Sequence, residues 1–354
     1  MRRRVLHVLA SNDRRGAEVF AIDLATALEQ LGWESTVVSL TRSTSTATVP
    51  AEPLGAGRWW RSLGPLRQQA KTHDVVIAHG STALPACAIA CAGITPFVYR
   101  SIGDPAYWSS SGLKRRQTTL LLNRADTVVA LFPSAANTLR TRGVTSEIAT
   151  IPNAVDAAAF PMIDEFGRRT ARAELGLPSD ASVVLFLGAL SLEKRPERAL
   201  TLARARPELH VVVVGDGPMR DQLGDEAAGL ANVSVLGPTS TPHQALAAAD
   251  VLIVPSDTEG VPAVAIEAGL SGLPVVASDV GGLASVIEQG ETGWLVTPGD
   301  DDELMAAADK AIVAGQSVGL AARRRCLERF DIGPVAVQWA GVITRSARIA
   351  RLRE

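Results

Sequence analysis

Cysteine is scarce in this chain of 354 residues: Cys87, Cys91 and Cys326 make an odd number with no paired spacing. That excludes a disulfide framework and predicts a reducing compartment, the cytoplasm. Cys87 and Cys91, four apart on one helix face, lack a second ligand pair nearby. They read as small buried thiols in an Ala-rich helix rather than as a metal site. Positive charge is not in excess either, since 35 basic and 37 acidic side chains give a net charge of −2. Nucleic acid is therefore not an expected partner. Lysine is rare, four residues against 31 arginines, and aromatics amount to seven Phe, six Trp and two Tyr. A secretory leader is not expected either. After Met1-Arg2-Arg3-Arg4 the apolar run Val5 to Ala10 stops at Ser11-Asn12-Asp13, which predicts a buried strand and not a signal core. The stretch Val75 to Tyr99 has no Asp, Glu, Lys or Arg over 25 residues. His79, Gly80, Ser81, Pro85, Gly93 and Pro96 divide it into strand, helix and strand, so a transmembrane helix is not expected.

What the chain does have is ordinary globular composition, 47% hydrophobic and 20% charged, at a length of roughly two domains. Short β-branched runs recur: Val5–Leu9, Ser35–Leu40, Val75–Ala78, Phe97–Tyr99 and Thr127–Leu131. The second half adds Val183–Leu187, His210–Val214, Val233–Leu236, Val251–Val254, Pro274–Ala277 and Gly293–Val296. Helical patterns such as Ala17–Leu31 separate them. Continuous apolar strands alternating with amphipathic helices predict an α/β fold, parallel sheets covered on both faces and doubly wound. The charged segment Asp156–Pro178 carries no strand pattern and marks a boundary near residue 165. Residues 1–165 carry 17 basic and 13 acidic side chains, and residues 166–354 carry 18 and 24. The first half is thus net +4 and the second net −6. Arg58-Trp59-Trp60-Arg61 and Lys114-Arg115-Arg116 in the basic half suit anionic lipid or an anionic acceptor, or are ordinary solvated faces.

In doubly wound sheets ligands bind beyond the carboxyl ends of the strands, so chemistry is sought in those loops. After the first strand, Arg14-Arg15-Gly16-Ala17-Glu18 opens a helix, where backbone N–H groups approach an anionic or polar ligand. The dinucleotide pattern G-x-G-x-x-G is absent, against a nicotinamide enzyme. In the second half Gly188-Ala189-Leu190-Ser191-Leu192-Glu193-Lys194-Arg195-Pro196 puts two adjacent cations at a strand end, a combination suited to a diphosphate. The stretch Pro255 to Gly269 is the most informative. A strand ends at Pro255 and a helix is expected to start near Pro262, a residue suited to the first helical position. Gly260 and Val261 N–H groups would then face an anion at the helix N-terminus. Glu259 and Glu267 bracket that position as acceptors for sugar and ribose hydroxyls.

With seven residues between Glu259 and Glu267, the chain resembles the family-4 glycosyltransferases, retaining enzymes of GT-B fold with an E-x7-E motif. The resemblance includes Gly16-Ala17-Glu18, Ala125-Asp126, Ile151-Pro152-Asn153-Ala154-Val155-Asp156, Val214-Gly215-Asp216-Gly217-Pro218 and Asp250 to Ser256. It continues through Gly272-Leu273-Pro274, Gly281-Gly282 and Thr292-Gly293-Trp294-Leu295-Val296. It implies two Rossmann-like doubly wound parallel-sheet domains facing a central cleft, residues 1–165 on the acceptor side and 166–332 on the nucleotide-sugar side. A final helix, 333–354, would return to the first domain. It further implies Glu267 on the ribose, Glu259 on the transferred sugar, Lys194 on the departing diphosphate, and Gly260 and Val261 as backbone donors. Gly16 would approach the donor from the other domain. Gly188, Arg195 and Gly215 complete the expected donor set; Arg15, Arg100, Asp104, Tyr107 and Trp108 are the expected acceptor set. Departures from the family pattern are Ala189 in place of an Arg, Arg15 for a Gly, Arg100-Ser101-Ile102-Gly103-Asp104 where a His is common, Asn153-Ala154 for Asn-Gly, and Ser285 for a Glu.

The expected reaction is transfer from a UDP- or GDP-sugar co-substrate, with no tightly bound cofactor and no metal. The acceptor hydroxyl would belong to a glycolipid, a polysaccharide or a small molecule. Attack would occur on the same face, with the departing phosphate taking the proton. A cytoplasmic protein, peripheral to the inner membrane face through its basic half, is the expected location. The rival readings are a nucleotide-sugar epimerase of related architecture and a non-catalytic two-lobed sugar-binding protein.

Overall fold

The computed structural model describes residues 3–43, 47–55, 57–108 and 112–351; Met1 and Arg2, which begin the basic run above, lie outside them. The chain divides into two compact units, Met1–Val155 with Ile332–Glu354, and Asp156–Asp331.

The first unit runs β1 (Arg3–Ser11), α1 (Gly16–Gln30), β2 (Trp33–Thr41), β3 (Glu52–Pro53), α2 (Leu63–Ala70), β4 (Val75–His79) and α3 (Ala83–Ala90). It continues β5 (Phe97–Arg100), α4 (Gly112–Leu122), β6 (Thr127–Ala130), α5 (Pro133–Thr141) and β7 (Glu147–Thr150). These strands form a seven-stranded sheet in the order β3-β2-β1-β4-β5-β6-β7, parallel at every pairing. Val5, Leu6, Val8 and Leu9 are all 0% exposed because helices cover both faces of β1. Strands β3 and β7 were not expected from the pattern. Strand β7 lies at the sheet edge, leaves Glu147 and Thr150 exposed, and so lacks the continuous apolar run that marks a central strand.

The second unit runs α6 (Glu165–Glu174), β8 (Ser182–Leu187), α7 (Glu197–Ala205), β9 (Leu209–Val214), α8 (Arg220–Ala227), β10 (Val233–Leu236) and α9 (Pro242–Ala248). It ends β11 (Val251–Val254), α10 (Ala263–Leu270), β12 (Val275–Ser278), α11 (Leu283–Val286), β13 (Gly293–Val296) and α12 (Asp301–Arg329). Its six-stranded parallel sheet has the order β10-β9-β8-β11-β12-β13.

The junction falls at Val155–Asp156, ahead of the expected residue 165. Hydrogen bonding explains the difference. Ile163 N–H donates to the Ser271 carbonyl at 3.0 Å, and Arg323 Nη1 donates to the Phe160 carbonyl at 3.0 Å. In α6, Arg172 binds Asp250 at 2.6 Å and the Ala248 carbonyl at 3.0 Å, tying this helix to the start of β11. Side chains far away in sequence thus claim a segment that has no strand signal of its own.

The last helix, α13 (Ile332–Arg351), belongs to the first unit. Val335, Trp339, Val342 and Ile343 are buried there in one cluster with Phe20, Leu24 and Val5. Trp339 is 0% exposed, and truncating such a side chain to Ala costs about 3–5 kcal/mol. Cys87 lies in α3 and Cys91 just beyond it, both buried as free thiols.

Candidate active site

In each sheet the chain reverses its direction of strand addition at one place, between β1 and β4 in the first and between β8 and β11 in the second. Crossovers on opposite sides of that point leave an open crevice at the strand ends, the usual ligand position in doubly wound sheets.

In the second unit the two loops flanking the crevice are the ones that follow β8 and β11, and they are bonded to each other. Lys194 Nζ donates to both Glu259 oxygens at 2.7 Å. Ser256 Oγ, 1% exposed, donates to Glu259 Oε1 at 2.8 Å. The Glu259 side chain is 6% exposed and that of Lys194 29%. The carboxylate is therefore held from two sides while the ammonium keeps a face to solvent. The backbones are joined as well, Asp257 N–H donating to the Glu193 carbonyl at 2.9 Å. Arg195 Nε lies 3.1 Å from Glu197 Oε1 and 3.6 Å from Asp257 Oδ1, an ion-pair distance without hydrogen-bond alignment. Arg195 has φ 55 and ψ 46, the single non-glycine residue with positive φ among the described residues. Holding such a conformation costs on the order of 1–3 kcal/mol, and strain of this kind concentrates at functional loops.

Helix α10 begins at Ala263, not at Pro262: Pro262 is extended (φ −69, ψ 128) and serves as the residue before the helix. Gly260 and Val261 consequently stand in the turn ahead of the helix rather than in its first turn. Gly282 N–H donates to the Gly260 carbonyl at 2.7 Å. Gly281 (φ +58) lies so close that a Cβ there would stand 1.9 Å from the Glu259 carbonyl oxygen. Glu267 sits half-buried within α10, and Val261 is buried. A second close approach joins the loops after β8 and β9, where a Cβ on Gly215 would meet the Gly188 carbonyl oxygen at 1.8 Å. Gly188 N–H donates to the Val214 carbonyl at 3.0 Å.

In the first unit Gly16 is the first residue of α1, after an extended Arg15 whose side chain is 75% exposed and lies 3.5 Å from Asp13. Asp104 Oδ1 accepts from Ala106 N–H at 2.8 Å and caps the short 3-10 turn Pro105–Tyr107. Tyr107 is 61% exposed and Trp108 half-buried. Arg100 differs from the expectation of an acceptor-facing guanidinium. It is 1% exposed, donates to Asn153 Oδ1 at 2.8 Å and lies 3.7 Å over the Phe20 ring. Burial pulls its pKa down to about 9.

Beside Arg100 is a buried polar group that the motif reading missed. His7 Nδ1 lies 3.2 Å from His79 Nε2, with the rings stacked. These two histidines come from β1 and β4, the strands that flank the reversal. Burial drives both pKa values down, that of His7 to about 3, so both rings are neutral at physiological pH. Glu18, in the first turn of α1, is raised above its ordinary value by burial and keeps Oε2 without a partner. The available signal was a histidine inside each of two otherwise apolar runs, Val5–Leu9 and Val75–His79. Ser256 and Gly281 were also missed as parts of the site; both act by fixing Glu259.

Two family descriptions match the chain: Glycosyltransferase Family 4 over residues 14–159 and Glycosyl transferases group 1 over residues 167–324. The chain belongs to the family-4 glycosyltransferases, with two Rossmann-like parallel-sheet domains of the GT-B type. It is similar to the D-inositol 3-phosphate glycosyltransferase of Mycobacterium leprae (strain Br4923), 42% identical over 141 residues, 36% of this chain and 32% of that one. The matched region is about a third of that relative's length. In structure it is similar to Anabaena HepE in complex with UDP-glucose, TM-score 0.84 at 24% identity, covering 97% of this chain and 99% of the other. Sucrose-phosphate synthase from Thermosynechococcus elongatus gives 0.82 at 21%, with 97% and 99% covered. At these identities the structural likeness is one of fold.

Proposed function

We propose that this protein transfers a sugar from a nucleotide diphosphate to an acceptor hydroxyl with retention of anomeric configuration. The observation that carries the reading is the Lys194–Glu259 pair, formed by the two loops that flank the reversal point of the second sheet. The HepE structure is described in complex with UDP-glucose, which supports a UDP-sugar as donor. The Mycobacterium relative is named for D-inositol 3-phosphate, which supports a small polyhydroxyl acceptor.

The barrier to such a transfer is departure of the diphosphate from an oxocarbenium-like carbon, so positive charge fixed at the leaving group is the principal catalytic requirement. Lys194 supplies it and Arg195 adds to it. Lys194 pairs with Glu259; a bound donor would share that ammonium through its phosphate oxygens and leave a Glu259 oxygen for a sugar hydroxyl. Glu259 is then an orienting acceptor, and no nucleophilic role is given to it. Glu267 takes the ribose, Gly260 and Val261 approach the diphosphate through their backbone, and Gly188 and Gly215 form the floor beneath it. Gly16 is a further donor contact, and Arg15, Asp104, Tyr107 and Trp108 serve the acceptor; Arg100 acts from below by holding Asn153 and Phe20.

The test is turnover of UDP-glucose by Lys194→Ala. A loss of at least tenfold in kcat, about 1.4 kcal/mol of barrier, is expected, with thermal stabilisation by UDP weakened but detectable. Turnover close to wild type sinks the charge assignment.

A further inference from the structure

Two buried arginines hold the two ends of β11. Arg172 holds the start through the Ala248 carbonyl and Asp250, and Arg198, 3% exposed, holds the end. Arg198 is the single charged side chain among the buried residues of α7. Its Nε donates at 2.6 Å to Asp301 Oδ1, on the first residue of α12, and its Nη1 donates to the Pro255 carbonyl at 3.4 Å. Its backbone N–H donates to the Arg195 carbonyl at 3.1 Å. One residue thus joins the segments that follow β8, β11 and β13.

Stability alone accounts poorly for a charge in this place. Arg198 Nη2 is buried with no hydrogen-bond partner among the described residues, and the Asp301 side chain is 42% exposed. The pair is incompletely bonded on one side and open to water on the other. Buried ion pairs are often replaced by apolar side chains with no loss of stability. What Arg198 supplies is position. Pro255 has no N–H to give to a neighbouring strand, so its carbonyl is the backbone group by which this end of β11 can be held. Ser256 follows directly, and its Oγ donates to Glu259 Oε1 at 2.8 Å. The turn from Pro255 to Glu259 is therefore tied to residues 193–198 through Arg198 on Pro255, the Glu193 carbonyl on Asp257, and Lys194 on Glu259.

We propose that Arg198 is a positioning residue for the Lys194–Glu259 pair, fixing where Ser256 presents its hydroxyl to the carboxylate. The inference rests on the proposed transfer reaction, in which Glu259 orients the sugar. Without Arg198 the end of β11 loses this tether and Glu259 shifts against Lys194, while Glu267, on α10, still takes the ribose. The loss then falls on kcat and leaves KM for the donor.

The experiment is steady-state release of UDP from UDP-glucose by Arg198→Met, Arg198→Lys, Asp301→Ala and Arg172→Met, beside a thermal melt of each. Arg198→Met is expected to lose about tenfold or more in kcat, with KM within about twofold and melting within a few degrees of wild type. Arg198→Lys keeps the charge but not the fork that spans Asp301 and Pro255, and is expected to lose as much. Asp301→Ala frees the guanidinium from a half-exposed position and keeps the test standing if Arg198→Met does not fold; a kcat loss of about threefold or more is expected. Arg172→Met is the control. It removes bonds of the same kind at the opposite end of β11, and is expected to melt lower while kcat stays close to wild type. Wild-type kcat in Arg198→Met, its restoration in Arg198→Lys, or an equal kcat loss in Arg172→Met overturns the role of Arg198 alone. A wild-type protein that neither releases UDP from UDP-glucose nor gains thermal stability from UDP refutes the transfer reading itself, and this role with it.

Discussion

Replacing Gly281 by Ala tests whether Glu259 is placed by its own loop or by the backbone behind it. The added Cβ would stand 1.9 Å from the Glu259 carbonyl oxygen and 2.7 Å from its carbonyl carbon. Both are backbone atoms, so no side-chain rotation relieves the overlap. The loop would have to retreat by about an ångström or more to restore ordinary contact. Two costs add: about 1–2 kcal/mol for a Cβ at φ +58, and about 1–3 kcal/mol for overpacking. Gly290 provides the control, because it shares a positive φ (+76) but has open space where a Cβ would go. Gly290→Ala therefore carries the conformational cost alone. For a unit of this size the expected fall in melting temperature is roughly 10 °C for Gly281→Ala and a few degrees for Gly290→Ala. The functional difference should be larger, since displacing a site group by about an ångström costs on the order of a hundredfold in rate. Donor turnover measured beside thermal melting reads both quantities. If the two alanine variants melt together and turn over alike, the claim that Gly281 sets the position of Glu259 is wrong.

Two further predictions follow from buried groups. Ser256→Ala removes the hydrogen bond at 2.8 Å to Glu259 Oε1 and leaves a nearly buried carboxylate one donor short. A loss of about 1.5–3 kcal/mol in stability is expected by chemical denaturation, and an unchanged unfolding midpoint would show that the bond contributes nothing. The stacked histidines predict acid sensitivity of the first unit. The unfolded chain takes up a proton on each ring near pH 6.5, whereas folded His7 does so only at about 3. Stability is therefore complete above pH 6.5 and declines as pH falls toward 3, by about 1.4 kcal/mol per unit for each such ring. Between pH 7 and pH 5 that is about 2 kcal/mol for His7. His7→Asn should reduce the slope of melting temperature against pH over this range, and an unaltered slope would remove His7 as its cause.

Much of the architecture could be read from hydropathy. Strands such as Val183–Leu187 and Val251–Val254 are buried on both faces, and a short unbroken apolar run rich in Val and Ile, bounded by turn residues, reads as a buried strand. Strand β7 could not be read in this way, because an edge strand needs apolar residues on less of its surface. The junction lies ahead of the expected residue 165 for a related reason: what assigns residues 156–165 to the second unit is bonding to Ser271 and to Arg323, partners that local pattern does not reveal. At the site, residue types were legible and their partnerships were not.

By itself the sequence determined the α/β class, the alternation of strand and helix, and the loops in which charged and glycine residues are collected, since these follow from local periodicity and from the conformations each residue tolerates. Only the tertiary structure decided that Lys194 and Glu259, 65 positions apart, share one ion pair. The reason is that parallel strands β8 and β11 lie side by side although two strands intervene in the chain. It likewise decided that Arg100 is buried over Phe20 instead of facing outward, and that His7 and His79 meet. Burial and pairing are properties of neighbours in space, and crossover connections bring those neighbours from distant parts of the chain.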